Sequence, residues 1–326
     1  IPRETSTAET CAPIPREPPV TTATCPTRFN RVSTSNFTRI PRVSIVAIVG
    51  ADTLGGSIAH KIAVRDRFAE IRLIDDLGDV AAGKALDIRQ ASPLERFHTK
   101  VTAHANLDAV SDATVIVLAG AVRAVETAGE KNADLSTLEK LLIFNRRAVI
   151  ICAGVSHRRL VELGVGTLGI PRAQLIGSAA TALQAALQAI VAVELRCSSS
   201  EVSLAVLGKP PNHLVVPWST VTVRGFLLSQ QITPVRFSRL KARARLIWPP
   251  GPYTLASATT RVCETIINCS GLRGLSCFAV LDGELGAHRT AAAVTVELGI
   301  SGVTRILKPS LTIQERVQLE TALVAK

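Results

Sequence analysis

From residue 43 onward, short apolar runs alternate with helical spacings of apolar residues. Val43-Ser-Ile-Val-Ala-Ile-Val49 reads as a buried strand, and Leu54, Ile58, Ala59 and Ile62 follow at the spacing of one helix face. Glu70-Ile-Arg-Leu-Ile-Asp75 predicts a second strand and Val80 to Ser92 a second helix. Thr99 to Ala103 predicts a short strand, and Thr114-Val-Ile-Val-Leu-Ala-Gly120 a buried one. A polar loop over 121–130, a helix from Asn132 to Phe144 and a strand from Ala148 to Cys152 complete the first half. Strands that alternate with helices call for a parallel sheet covered on both faces.

Beyond about residue 175 the rhythm changes. An apolar helix over 179–195 precedes a strand at 201–207 and a Gly-Lys-Pro-Pro-Asn-His loop over 208–213. Helices are expected over 234–248 and 253–268, then strands at 275–281, 291–298 and 302–307. Thr312-Ile-Gln-Glu315 has the form of a capping box and starts a final helix. The expected organisation is a disordered or spurious segment over 1–42, an α/β domain over 43–175 and an α+β domain over 176–326.

The turn between the first strand and its helix carries the first chemical information. Strand, glycine turn and helix are the context in which a G-x-G-x-x-G spacing signals a dinucleotide site. Gly50 permits the tight turn and Gly55 lets the helix approach the strand. The middle glycine, which lets backbone approach a pyrophosphate, is Asp52. An acid follows at the end of the second strand, Asp75, where a ribose hydroxyl would donate to it, and Asp76 stands next to it. The fold class expected is therefore α/β, a Rossmann-type doubly wound parallel sheet. A dinucleotide is the expected cofactor, with Gly50, Asp52, Thr53, Leu54, Gly55, Asp75 and Gly120 around it and its binding weakened by Asp52. Ligands of such sheets lie at the carboxyl ends of the strands, which puts Gly50, Asp75, Gly120 and Ala153 on the rim.

Composition narrows the remaining classes. The net charge is +11, but the basic residues are scattered and only eight Phe, two Trp and one Tyr could stack on bases, so nucleic-acid recognition is not expected. Cysteines 11, 25, 152, 197, 263, 269 and 277 form no C-x-x-C pair, which reads as free thiols in a reducing, cytoplasmic setting with no metal site. Gln184 and Gln188 interrupt the most apolar helix, so no membrane span is expected. Residues 1–42 hold seven prolines, six arginines and three glutamates without periodicity, and no methionine occurs at residue 1 or elsewhere. Arg146-Arg147 and Arg158-Arg159 are expected at solvated helix ends, and His98, His104 and His157 are expected to be exposed.

Five blocks in order resemble the lactate/malate dehydrogenase family over about 43–326. They are Ala82-Gly-Lys-Ala-Leu-Asp-Ile-Arg-Gln-Ala91, Leu175-Ile-Gly-Ser178, Val206-Leu-Gly208 with Val215-Val-Pro217, Leu281-Asp-Gly-Glu-Leu-Gly286 and Val296-Glu-Leu-Gly-Ile-Ser-Gly-Val303. The resemblance implies an α+β second domain of that family's type, an oligomer, and hydride transfer between NAD and a small 2-hydroxy or 2-oxo acid. It implies an Asp–His proton relay and arginines that clamp the substrate. At the matching positions this chain has Leu183 for the Asp, Ala186 for the clamping Arg and Pro210 for the His. Cys152-Ala-Gly154 replaces the Asn-bearing turn, and of two loop arginines only Arg123 matches, with Gly129 near the other. Lost or severely weakened catalysis is therefore expected, the chain serving as a binding or scaffold subunit. The alternative is an active enzyme with a rebuilt site that uses His213 and Arg123, with Lys209 adding positive charge.

Overall fold

A computed structural model describes residues 44–120, 128–268 and 274–325. Helices α1 (Thr53–Arg65), α2 (Gly78–Glu95), α3 (Ala128–Phe144) and α4 (Arg158–Gly166) alternate with strands β1 (Ile45–Val49), β2 (Glu70–Ile74), β3 (Lys100–His104), β4 (Val115–Leu118), β5 (Val149–Cys152) and β6 (Leu175–Gly177). These strands are parallel in the order β3-β2-β1-β4-β5-β6. The expected doubly wound sheet is present. Strands β1, β4 and β5 are apolar and almost wholly buried because helices cover both faces.

The remaining elements are α5 (Ala179–Leu195), β7 (Val202–Ser203), β8 (Leu207–Lys209), β9 (His213–Val215), β10 (Thr222–Val223), β11 (Phe226–Leu227), α6 (Pro234–Ala244), α7 (Pro252–Asn268), β12 (Leu275–Asp282), β13 (His288–Gly299), β14 (Gly302–Ile306) and α8 (Ile313–Val324). The sheet does not stop at β6. It continues through antiparallel β12, β13, β8 and β9, with β14 also on β13. Strands β11, β10 and β7 form a separate small sheet.

Three expected segments change. The strand at 201–207 breaks into β7 and β8, with irregular chain between them, and the loop over 208–213 is instead the mouth of a β8–β9 hairpin that pairs Lys209 with His213. The helix expected at 234–248 ends at Ala244. The capping box at Thr312 is present: its side chain accepts from the Glu315 N–H and Glu315 reaches back to Thr312. Among the described residues, no helix is long and apolar enough to cross a membrane.

Polar groups on α5 join that helix to the extended sheet. Gln184 Nε2 donates to the Leu204 carbonyl (2.8 Å), and its Oε1 accepts from Ser276 N (3.0 Å). Thr181 Oγ1 donates to the Ser276 carbonyl, and Ser276 Oγ accepts from Val206 N. Each buried polar atom in this set has a partner, as burial in a low dielectric requires.

The α1–β1 approach leaves no room for a side chain at Gly55, where a Cβ would lie 1.8 Å from the Gly50 carbonyl oxygen. Gly55→Ala should cost about 3 kcal/mol of stability in a urea titration, because backbone must move to admit the methyl group. A second expectation concerns acid. Arg72 hydrogen-bonds Asp112 and holds its carboxyl below the usual range. The folded-state value lies below the unfolded one, so the pair stabilises at neutral pH and its contribution disappears as pH falls through the folded-state value. Asp112→Asn should flatten the acid limb of the stability–pH curve.

Candidate functional site

The carboxyl ends of β1, β2, β4 and β5 come together at one rim. Gly50 turns the chain out of β1 in the left-handed region (φ 93°), and its N–H donates to the Ile74 carbonyl (2.8 Å). The Ala119 N–H donates to Val49, the Ala153 N–H to Leu118 and the Ser178 N–H to Cys152, so the ends step across the sheet. This is where ligands of doubly wound sheets bind, beside the reversal of strand order at β1 and β4.

At this rim both carboxylate oxygens of Asp75 accept from the chain itself. Oδ2 takes the Ala51 N–H (2.7 Å) and Oδ1 the Leu77 N–H (2.9 Å). Asp52 is exposed at the N-cap of α1 and accepts no backbone N–H from the first turn; its one side-chain contact is the Thr53 hydroxyl at 3.4 Å. The amides at the start of α1 keep their partial positive charge, with the Asp52 carboxylate beside them. Leu54 and Gly55 are buried against the strand.

Gly120 and Gly154, which follow β4 and β5, are both occupied from outside. A Cβ on Gly120 would fall 2.0 Å from His157 Nε2, and one on Gly154 2.6 Å from the same atom. His157, expected to be exposed, is fully buried. Its Nδ1 accepts the Gly154 N–H (3.1 Å) and its Nε2 faces Asp134 Oδ2 (3.1 Å). That pair of bonds fits the neutral ring protonated on Nε2. The burial arises because glycine on two adjacent strand ends leaves a ring-sized space that α4 fills from its first turn. Both glycines were visible in the sequence, whereas Asp134 lies 23 positions away and shows no motif with the histidine.

Leu183 is in the apolar core on α5 and Ala186 is one turn further on. Pro210 precedes Pro211 at the hairpin turn, across a cis peptide. His213 starts β9, half-buried, and its ring has no hydrogen-bond or ion-pair partner among the described residues. Arg123 lies outside the described residues. Lys209 does not supply free charge: its Nζ donates to the Leu323 (2.7 Å) and Ala325 (2.6 Å) carbonyls at the end of α8. Burial pulls its pKa down, and Arg158 and Arg159 push the same way. Arg158 is no solvated helix end either. It is partly buried, with Nη1 on Glu162 (3.2 Å) and on the Ala291 carbonyl (3.0 Å). His98 is exposed as expected, and His104 is half-buried against Thr102.

A family model described as lactate/malate dehydrogenase, NAD binding domain, matches residues 44–146. A malate dehydrogenase of Desulforudis audaxviator is 28% identical over 302 residues, which cover 86% of this chain and 95% of that protein. Over most of its length the chain is therefore similar to lactate/malate dehydrogenases. A malate dehydrogenase of Thermomicrobium roseum is 27% identical over 292 residues, 84% of this chain and 93% of the relative. Among solved structures, the malate dehydrogenase of Salinibacter ruber superposes with a TM-score of 0.79 at 24% identity, covering 85% of this chain and 93% of its own. The lactate dehydrogenase of Cryptosporidium parvum, solved with lactic acid and nicotinamide adenine dinucleotide, gives 0.79 at 21% identity over 86% and 94%. The family's fold is thus kept over nearly its full length.

His157→Ala should destabilise the protein by about 3 kcal/mol, from the cavity and from the Gly154 N–H left unpaired. Denaturant unfolding monitored by circular dichroism measures this.

Proposed function

We propose that this protein keeps the lactate/malate dehydrogenase scaffold while its hydride-transfer chemistry is lost or severely weakened, and that it works as a binding or scaffold subunit. The observation that carries this reading is the fate of the proton relay. Where the family resemblance requires Asp and His there are a buried leucine, Leu183, and a turn proline, Pro210. Neither side chain can hold or pass a proton. Removing the proton carrier alone typically costs about 10² to 10⁴ in rate. Ala186, in place of the clamping arginine, offers a 2-oxo acid no bidentate partner for its carboxylate.

The cofactor half is better preserved. The positive φ of Gly50, the contact of Gly55 with the Gly50 carbonyl and the amides that open α1 fit a dinucleotide, whose phosphates those amides would hold. Asp75 accepts one N–H on each carboxylate oxygen, which leaves lone pairs on both for a ribose hydroxyl. Bound NAD supplies hydride chemistry; this chain's residues supply the turn and the amides. Asp52 opposes the fit, since its carboxylate shares the helix terminus with a phosphate of the same sign. NAD binding, if retained, is weakened by that repulsion.

An oligomer built on α5, α6 and α7 is part of the proposal. Val193, Val235 and Tyr253 on those helices are 69%, 63% and 79% exposed, which supports a covering surface there. A reducing, cytoplasmic setting is supported by the thiols of Cys197, Cys263 and Cys277.

Two measurements on the full chain test the proposal. With NADH and either oxaloacetate or pyruvate, turnover should not exceed the blank; measurable turnover sinks the reading. In a calorimetric NADH titration, Asp52→Gly should bind about tenfold more tightly than the parent, and the difference should shrink as salt is raised.

A further inference from the structure

Away from the strand ends, the carboxyl end of α5, the β10–β11 turn and α6 enclose a cavity of about 530 Å³. Glu194, Arg196, Cys197, Arg224, Gln231 and Arg236 are among its walls. None of these residues entered the dinucleotide or substrate positions described above.

Three arginines surround one small space, and its two nearest carboxylates are already committed. Glu194 Oε1 accepts from Arg236 Nε (2.7 Å), while its Oε2 faces Arg243 Nη1 at 3.7 Å. Glu201 pairs with Arg224 through Nε alone (3.2 Å), and backbone N–H donation from Ser198 and the Arg224 contact hold its carboxyl below the usual range. Arg236 also donates from Nη2 to the Glu194 carbonyl, which offsets the negative end of α5. Arg196 has no ion-pair partner among the described residues. Arg196, Arg224, Arg236 and Arg243 thus stand against Glu194 and Glu201, leaving a surplus of positive charge around the cavity.

The backbone brings two of these guanidinium groups to the site. Arg196 caps α5 with φ 52° and Arg224 opens the turn with φ 54°, followed by Gly225 at φ 84°. Arg196 and the two Nη groups of Arg224 are planar forks not spent on any carboxylate, and such forks match tetrahedral oxyanions in two-point contact. Apolar Leu195 and Val223 complete the wall. We infer that this cavity binds a compact dianion of the phosphate class, either free phosphate or the phosphate group of a small metabolite.

The full chain should be titrated calorimetrically with inorganic phosphate and with glucose 6-phosphate, against chloride at matched ionic strength. Saturable one-to-one binding is expected, weakened about tenfold or more in Arg196→Gln/Arg224→Gln. Arg305→Gln, on β14 and paired with Glu297, should leave it unchanged. Tighter binding of the sugar phosphate assigns the site to a metabolite, and equal binding assigns it to free phosphate. No saturable binding overturns the inference, and so does an equal loss in Arg305→Gln, which would mean diffuse attraction to a basic surface. Glu194→Gln tests the site without removing an arginine: it frees Arg236 and Arg243 and should tighten phosphate binding, and unchanged or weaker binding refutes the assignment.

Discussion

The approach of α1 to β1 sets the geometry of the first half. With the Gly50 carbonyl where a side chain on residue 55 would begin, the helix runs against the strand and starts at the carboxyl ends of the central strands. The same turn places the Ala51 N–H on Asp75, which ties the end of β2 to β1. The β4 end follows from this, since Ala119 bonds Val49 and a Cβ on Gly50 would meet the Ala119 carbonyl oxygen at 2.9 Å. One close packing contact thus aligns three strand ends, and it persists although Asp52 has taken the place of the middle glycine.

In the proposed reading, fold and chemistry have separated in this chain. The residues that pack are those that make the family recognisable: the glycine turn, Ala85 and Ile88 buried on α2, and Ser178, whose hydroxyl hydrogen-bonds that of Thr259 in the interior. Several residues singled out for their chemistry, or standing where the resemblance implies chemistry, are instead apolar or bonded within the fold. Leu183 adds to the core, Lys209 caps a helix, and His157 spends both ring nitrogens on Gly154 and Asp134.

The first half was legible because its signals are local. Buried parallel strands are continuous apolar runs, so β1, β4 and β5 stand out, and α5 was placed at its observed bounds. The β8–β9 hairpin was not legible, because prolines cannot donate to a ladder and Pro210-Pro211 reads as loop; here they occupy only the turn between two three-residue strands. Leu183 and Pro210, at the positions where the resemblance implies Asp and His, were legible as residues that cannot carry a proton. His157 was missed because its burial depends on two glycines on other strands and an acid on another helix, contacts with no periodicity. The arginine cavity was missed for the same reason: its walls lie between 194 and 236 and meet only after α5, the small sheet and α6 have packed.

Lys209 joins residues that lie 114 and 116 positions apart, holding the last carbonyls of α8 to a strand of the main sheet. Because its ammonium is buried and its pKa is lowered, the position depends on those two oxygens staying in place. The end of α8 is therefore a working part of the hairpin, and a force applied to that helix end would be felt at the β8–β9 turn.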